Sequence, residues 1–127
     1  MSKACFVFGS NLAGIHGKGA AKEALNNWGA LFNKGHGAMN NCYAIPTIDE
    51  YLIPLPLYRI KEYITLFLNY VKSQPDTLFI LTPAGCGLAG YTPEQIAPFF
   101  KEQLFSNIYY PKQFIECWIK ESNDTIK

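Results

Sequence analysis

The stretch ACFVFGSNLAGIHGKGAAKEAL, residues 4–25, decides how this chain is read. Its opening ACFVF (4–8) is a continuous apolar run that stops at Gly9, the pattern of a strand buried on both faces. Further on, Ala20, Ala21, Ala24, Leu25 and Trp28 fall at helical spacing with Gly29 as a stop, which predicts a helix over 17–28. Between the two lies a glycine-rich link, GSNLAGIHGKGA. The second half repeats this plan in TLFILTPAGCGLAGYTPEQIAPFF, residues 77–100. TLFIL is a buried strand, TPAGCGLAGY a glycine loop, and Thr92, Pro93 and Gln95 supply a cap, a first-turn proline and a capping-box partner.

Working outward, residues 33–41 are rich in glycine and asparagine and read as a loop, and 42–45 as a short strand closed by Pro46. Leu57, Ile60, Ile64, Phe67, Leu68 and Val71 repeat at three and four, an amphipathic helix. The helix that begins after Thr92 is expected to reach about Phe105 and to bend at Pro98, which lacks the N–H for one helical hydrogen bond. FIECWI (114–119) reads as a last strand, and 121–127 as a polar tail that frays beyond a single domain spanning 1–120. The order β-α-β-α-β-α-β with right-handed crossovers predicts an α/β protein: a three-layer α/β/α fold around a mostly parallel sheet. In such sheets ligands bind beyond the carboxyl ends of the strands, so chemistry is expected in the loops that follow strands.

Composition narrows what those loops can hold. The 127 residues carry a formal charge of +1, with 49% hydrophobic and 17% charged residues, which suits one globular core and excludes the basic footprint of a nucleic-acid binder. Arg59 is the only arginine, so a bound phosphate must rely on backbone N–H groups, hydroxyls or a lysine. The cysteines at 5, 42, 86 and 117 form no CxxC, and neither a metal nor a cofactor is expected. MSKACFVFG lacks the apolar run of a signal peptide and no stretch is long enough to span a membrane, so a reducing cytoplasm is expected. Aromatic residues, 15% of the chain and including Tyr109 and Tyr110, can serve the core or an interface in a homo-oligomer.

Gly9, Gly14, Gly17 and Gly19 in the first loop, and Gly85, Gly87 and Gly90 in the second, permit positive φ and close approach of backbone to a ligand. The N-terminus of the following helix favours an anion. Two such loops at one sheet edge could grip a diphosphate; glycine turns without a ligand are the plainer alternative. Among side chains, Asn11 could meet a ribose hydroxyl or position a water, or simply form the turn. His16 could act as acid/base, touch phosphate, or have no role. Lys18 could meet phosphate or be solvated. Asp49 and Glu50 could contact a sugar, supply a base, or form a solvated acidic turn. Cys86 is either a reactive thiol or a small residue whose N–H is available.

With these motifs in hand, the chain resembles the macro domain family of ADP-ribose binders. FGSNLAGIHGKGAAKEAL looks like the family's asparagine-containing strand end and glycine loop, with Asn11 at the asparagine near the distal ribose and Gly17, Gly19 and Ala20 in the loop. LTPAGCGLAGY looks like the loop that wraps the diphosphate, with Gly85, Cys86, Gly87 and Leu88 in wrapping positions, and is nearest to the IGCGL of the terminal ADP-ribose glycohydrolase branch. The resemblance implies a macro-like fold and a ligand set of Gly9, Ser10, Asn11, Gly17, Lys18, Gly19, Ala20, Thr82, Gly85, Cys86, Gly87, Leu88 and Ala89, with Asn11 and His16 as the catalytic candidates. The chain departs from the family in lacking the GDI aspartate for adenine. It also has Thr47, Ile48 and Ala89 where the glycohydrolases keep their lysine and aspartate, which speaks against a lysyl–sugar mechanism. The implied activity is binding of ADP-ribose or a related nucleotide. The alternatives are an ADP-ribosyl hydrolase or ADP-ribose phosphatase, and a sponge for a cyclic or linear ADP-ribose-derived immune signal. The sponge is suggested by similarity to small phage and bacterial macro-like proteins, whose place of action would be a host cytoplasm. A thiol enzyme built on Cys86 and a structural phage protein are further alternatives.

Overall fold

A computed structural model describes residues 3–126 as one α/β unit. The elements run β1 (Lys3–Asn11), α1 (Gly19–Asn27), β2 (Gly37–Met39), β3 (Cys42–Ile48), α2 (Leu57–Lys72), β4 (Thr77–Leu81), α3 (Pro93–Lys101), β5 (Ile108–Tyr109) and α4 (Lys112–Ile126). The sheet order is β2-β3-β1-β4-β5. β1 lies at its centre, parallel to both β3 and β4; β5 is parallel to β4, and only β2 runs antiparallel.

A strand in the middle of a parallel sheet must be apolar on both faces. β1 meets this with Val7 on one face and Phe8 on the other, both fully buried. Val7 joins the larger core, where Ile60, Ile64, Phe67, Leu68 and Val71 of α2 and Ile96, Ala97 and Phe100 of α3 pack on the sheet. Phe8 joins a smaller core with Ala24, Met39, Cys42 and Ala44, beneath α1 and Trp28. The two cores on opposite faces make the three layers. All seven residues of β3 are buried. Among the described residues, no helix is long and apolar enough to cross a membrane.

Four parts of the sequence reading change. Pro46 does not close the strand that begins at Cys42; β3 runs through it to Ile48, with Pro46 paired to Ser10. Residues 114–119 are not a strand; they lie within α4, and β5, only two residues long, takes the edge position. The side chains show why. Phe114 stacks on Phe100 at 5.4 Å, and Trp118, one turn on, donates its indole N–H to the Ala97 carbonyl at 3.1 Å, so i and i+4 face α3 together. Cys117 joins that packed face while Glu116 is exposed, the three-four pattern of a helix, whereas a strand would set 114, 116 and 118 on one face. The helix also continues to Ile126 through most of the expected tail. α3 ends at Lys101, short of Phe105, because the chain turns there to enter β5; the Phe105 N–H donates to the Tyr110 hydroxyl at 3.0 Å. Finally, the glycine-rich stretch 33–41 contains β2, three residues long.

Candidate functional site

Because β1, β3 and β4 run parallel and adjacent, the loops after them meet at one sheet edge. Gly9 makes the meeting close. A Cβ there would sit 3.2 Å from the Gly85 nitrogen and 3.3 Å from the Ala84 Cα, so the end of β1 packs on the backbone of the second glycine loop. Further bonds tie these ends together. Thr82 donates its N–H (3.0 Å) and its hydroxyl (2.7 Å) to the Val7 carbonyl. Thr47 donates to the Ser10 carbonyl at 3.3 Å, and the Leu12 N–H to the Ile48 carbonyl at 2.9 Å. The buried Ser10 hydroxyl donates to the Gly35 carbonyl. Gly9, Ser10, Thr82 and Gly85 are thus brought together at the ends of β1 and β4.

The second glycine loop folds back on itself. The Cys86 N–H donates to Pro83, Gly90 to Gly87 and Tyr91 to Gly85, each at 3.0–3.1 Å, with Gly85 at φ +85° and Gly90 at φ +82°. Among the described residues, the N–H groups of Gly85, Gly87, Leu88 and Ala89 meet no acceptor. A Cβ on Gly87 would touch nothing within 4 Å, so space lies open at that residue. Four backbone donors thus stand within five residues of the loop that follows β4, at the carboxyl edge of a parallel sheet. Leu88 is 74% exposed and Ala89 buried. In the first loop Gly17, Lys18 and Gly19 are exposed at the start of α1, whose first-turn N–H groups also lack helical partners, while half-buried Ala20 packs toward the smaller core.

The acid/base candidates are otherwise engaged. Asn11 is tied to one residue, donating one amide N–H to the Ile15 carbonyl at 2.8 Å and accepting the Ile15 N–H at 3.0 Å. His16 is 2% exposed, edge-on to Phe8 at 5.4 Å, with Nε2 at 2.9 Å from the Leu31 carbonyl and 3.1 Å from that of Lys34. With two carbonyls as partners, Nε2 carries the proton, and Nδ1 is buried without a partner. The ring therefore fastens the first loop to residues 31–34, with both nitrogens buried in the fold. Asp49 accepts the N–H groups of Tyr51 (2.8 Å) and Ile53 (2.9 Å) and so shapes its own loop. Burial, with Cys117 and Glu94 nearby, pushes the Cys86 thiol up to about 11, the reverse of what a reactive thiolate needs. Burial likewise raises Cys5 to about 12 and Cys42 to about 11, as for inert core thiols.

Two features went unread in the sequence. Gly35 is buried where a Cβ would overlap the Asn11 carbonyl, so the loop after β1 requires glycine at a position far along the chain. Residues 49–54 form a tight projection after β3, latched to the second glycine loop where the Tyr91 hydroxyl donates to the Leu55 carbonyl at 2.6 Å. A groove of about 440 Å³ runs elsewhere, between α3 and α4. Its lining carries Glu94, Glu116, Glu121 and Asp124 against Lys120, so it repels an anionic ligand. Among the described residues no cluster of three His, Cys, Asp or Glu could hold a metal ion.

Two measurements check these assignments. Replacing His16 with alanine leaves two carbonyls unpaired and opens a cavity, so urea denaturation should register a loss of about 2–4 kcal/mol; unchanged stability would contradict the structural role. Alkylation of Cys86, followed by peptide mass spectrometry, should at pH 7.5 run about 100-fold slower in the folded protein than in the unfolded chain. The rate should climb as pH rises toward 11, since the thiolate is the nucleophile.

Comparison with protein-family models, with curated proteins and with solved structures gives no match.

Proposed function

We propose that this chain binds ADP-ribose, or a nucleotide derived from it, and holds the diphosphate chiefly through backbone N–H groups of the two glycine loops. The observation that carries this reading is the set of unpartnered N–H groups at Gly85, Gly87, Leu88 and Ala89 beside the Gly9 contact. Fixed amide dipoles attract phosphate without a guanidinium, in keeping with a chain whose one arginine, Arg59, lies on α2 and ranges with Glu62 and Tyr63. The resemblance to macro domains in residues 8–25 and 81–100 supplies the identity of the nucleotide.

Binding is favoured over turnover. Cleaving a glycosidic or phosphate bond calls for a positioned nucleophile and an acid/base group, each contributing on the order of 10²-fold or more. Asn11 is closed on Ile15, His16 is buried, Asp49 is capped by two N–H groups and Cys86 is held as a thiol. A protein that retains its ligand intact fits a sponge for ADP-ribose-type signals. We place this work in the cytoplasm, where four free cysteines remain reduced.

Gly87→Val tests the reading. Its side chain enters open space, so the fold should survive, yet it would cover the amides around it. Calorimetric titration with ADP-ribose should show binding to the wild-type chain and at least about a tenfold loss in the variant. Undiminished affinity of a folded Gly87→Val protein would contradict the proposal. Ligand recovered after stoichiometric incubation should be chromatographically intact; multiple turnover would favour the hydrolase.

A further inference from the structure

The projection after β3 has the opposite character to an ordinary surface turn. Its tip places Tyr51, Leu52 and Ile53 in succession at 76%, 63% and 59% exposure. Three adjacent large apolar side chains in water are unfavourable unless something covers them. The turn is nevertheless rigidly specified. The Asp49 N–H donates to the Ile53 carbonyl at 2.8 Å and the Leu52 N–H to the Asp49 carbonyl at 3.2 Å. The Asp49 carboxylate takes the Tyr51 and Ile53 N–H groups from the other side, and Ile48 and Pro54 close the base as an antiparallel bridge. Leu52 sits at φ +67°, a conformation that a leucine seldom adopts and that such a bond network imposes.

The position of this prong matters as much as its make-up. Its two flanks are bonded to the glycine loops, Ile48 accepting the Leu12 N–H at the end of β1 and Leu55 the Tyr91 hydroxyl at the end of the second loop. The second loop raises its own apolar residue, Leu88, between Gly87 and Gly90. Apolar side chains therefore rise from the loops that follow β3 and β4, on either side of β1.

We propose that residues 49–54 are a preformed apolar clamp for the planar heteroaromatic ring of the ligand whose diphosphate rests on the glycine-loop amides. The inference rests on the proposed function and adds where the ring is held. The ring covers Tyr51 and Ile53, and Asp49 is a positioning residue that keeps them in place.

The test pairs ADP-ribose with inorganic diphosphate, which has the anion and no ring, in calorimetric titrations. The wild-type chain should bind ADP-ribose at least about tenfold more tightly than diphosphate. Tyr51→Ser/Ile53→Ser should lose about tenfold for ADP-ribose and nothing for diphosphate. Asp49→Ala should weaken ADP-ribose alone, and Asp49→Asn, which keeps an acceptor oxygen for both N–H groups, should restore it. Unchanged ADP-ribose affinity in Tyr51→Ser/Ile53→Ser, with diphosphate still bound, overturns the clamp and leaves the proposed function standing. Failure of the wild-type chain to bind either probe overturns both. If sedimentation shows that Tyr51→Ser/Ile53→Ser dissociates an oligomer while ligand affinity holds, the clamp is overturned and the prong belongs to a contact between copies.

Discussion

Gly9 ends the apolar run of the central strand, and the backbone of Ala84 and Gly85 occupies the space that a side chain there would need. Any larger residue would push the second glycine loop away from β1 by a few tenths of an ångström or more, because its nearest neighbours are main-chain atoms. The rest of the site depends on that contact. Thr82 is bonded to Val7 just behind it, Thr47 to Ser10 beside it, and Gly85, at positive φ, turns the chain over the side chain of Ile96. The close approach leaves one continuous main-chain surface from the end of β1 to the loop after β4. A parallel sheet gathers strand ends at one edge; here missing side chains let those ends touch.

The chemistry of the surface follows from what is absent from it. Guanidinium is nearly missing from the chain, and three polar side chains near the edge are taken up in holding loops. His16 bonds two carbonyls, Asp49 caps two N–H groups and Asn11 closes a turn. What remains exposed in these loops is main chain, apolar side chain, and the charged Lys18 and Glu50. Fixed amide donors suit an anion of fixed geometry, because they require no reorganisation when the ligand arrives.

Much of the architecture was legible because its signals are local. The buried runs of β1, β3 and β4 and the three-four spacing of α2 each lie within a few residues, and the Thr92–Gln95 cap announces α3; Thr92 donates its N–H to Gln95 at 2.9 Å. The failures came where identity is decided at a distance. FIECWI is rich in β-forming residues, yet Phe114 and Trp118 are claimed together by Phe100 and Ala97, which makes the segment helical. β5 and β2 are too short to display a period and exist only because β4 and β3 offer free edges. In the site, the glycines at 9, 85 and 87 were readable as points of close approach or open space. The burial of His16 was not, since its partners at Leu31 and Lys34 lie 15 and 18 residues away. The apolar prong had a signal, YLIP between an acidic pair and a second proline, but nothing local shows that it stands beside the loops.

The central claim is that backbone amides of the second glycine loop hold an anion. Amide proton–nitrogen correlation spectra of the labelled chain, titrated with ADP-ribose, read those groups one by one. The account predicts that the Gly85, Gly87, Leu88 and Ala89 signals move downfield together and saturably, as N–H groups gain a phosphate acceptor. Spectra in which these four stay fixed at saturating ligand, or in which only signals of α3 and α4 around the acidic groove respond, would contradict it.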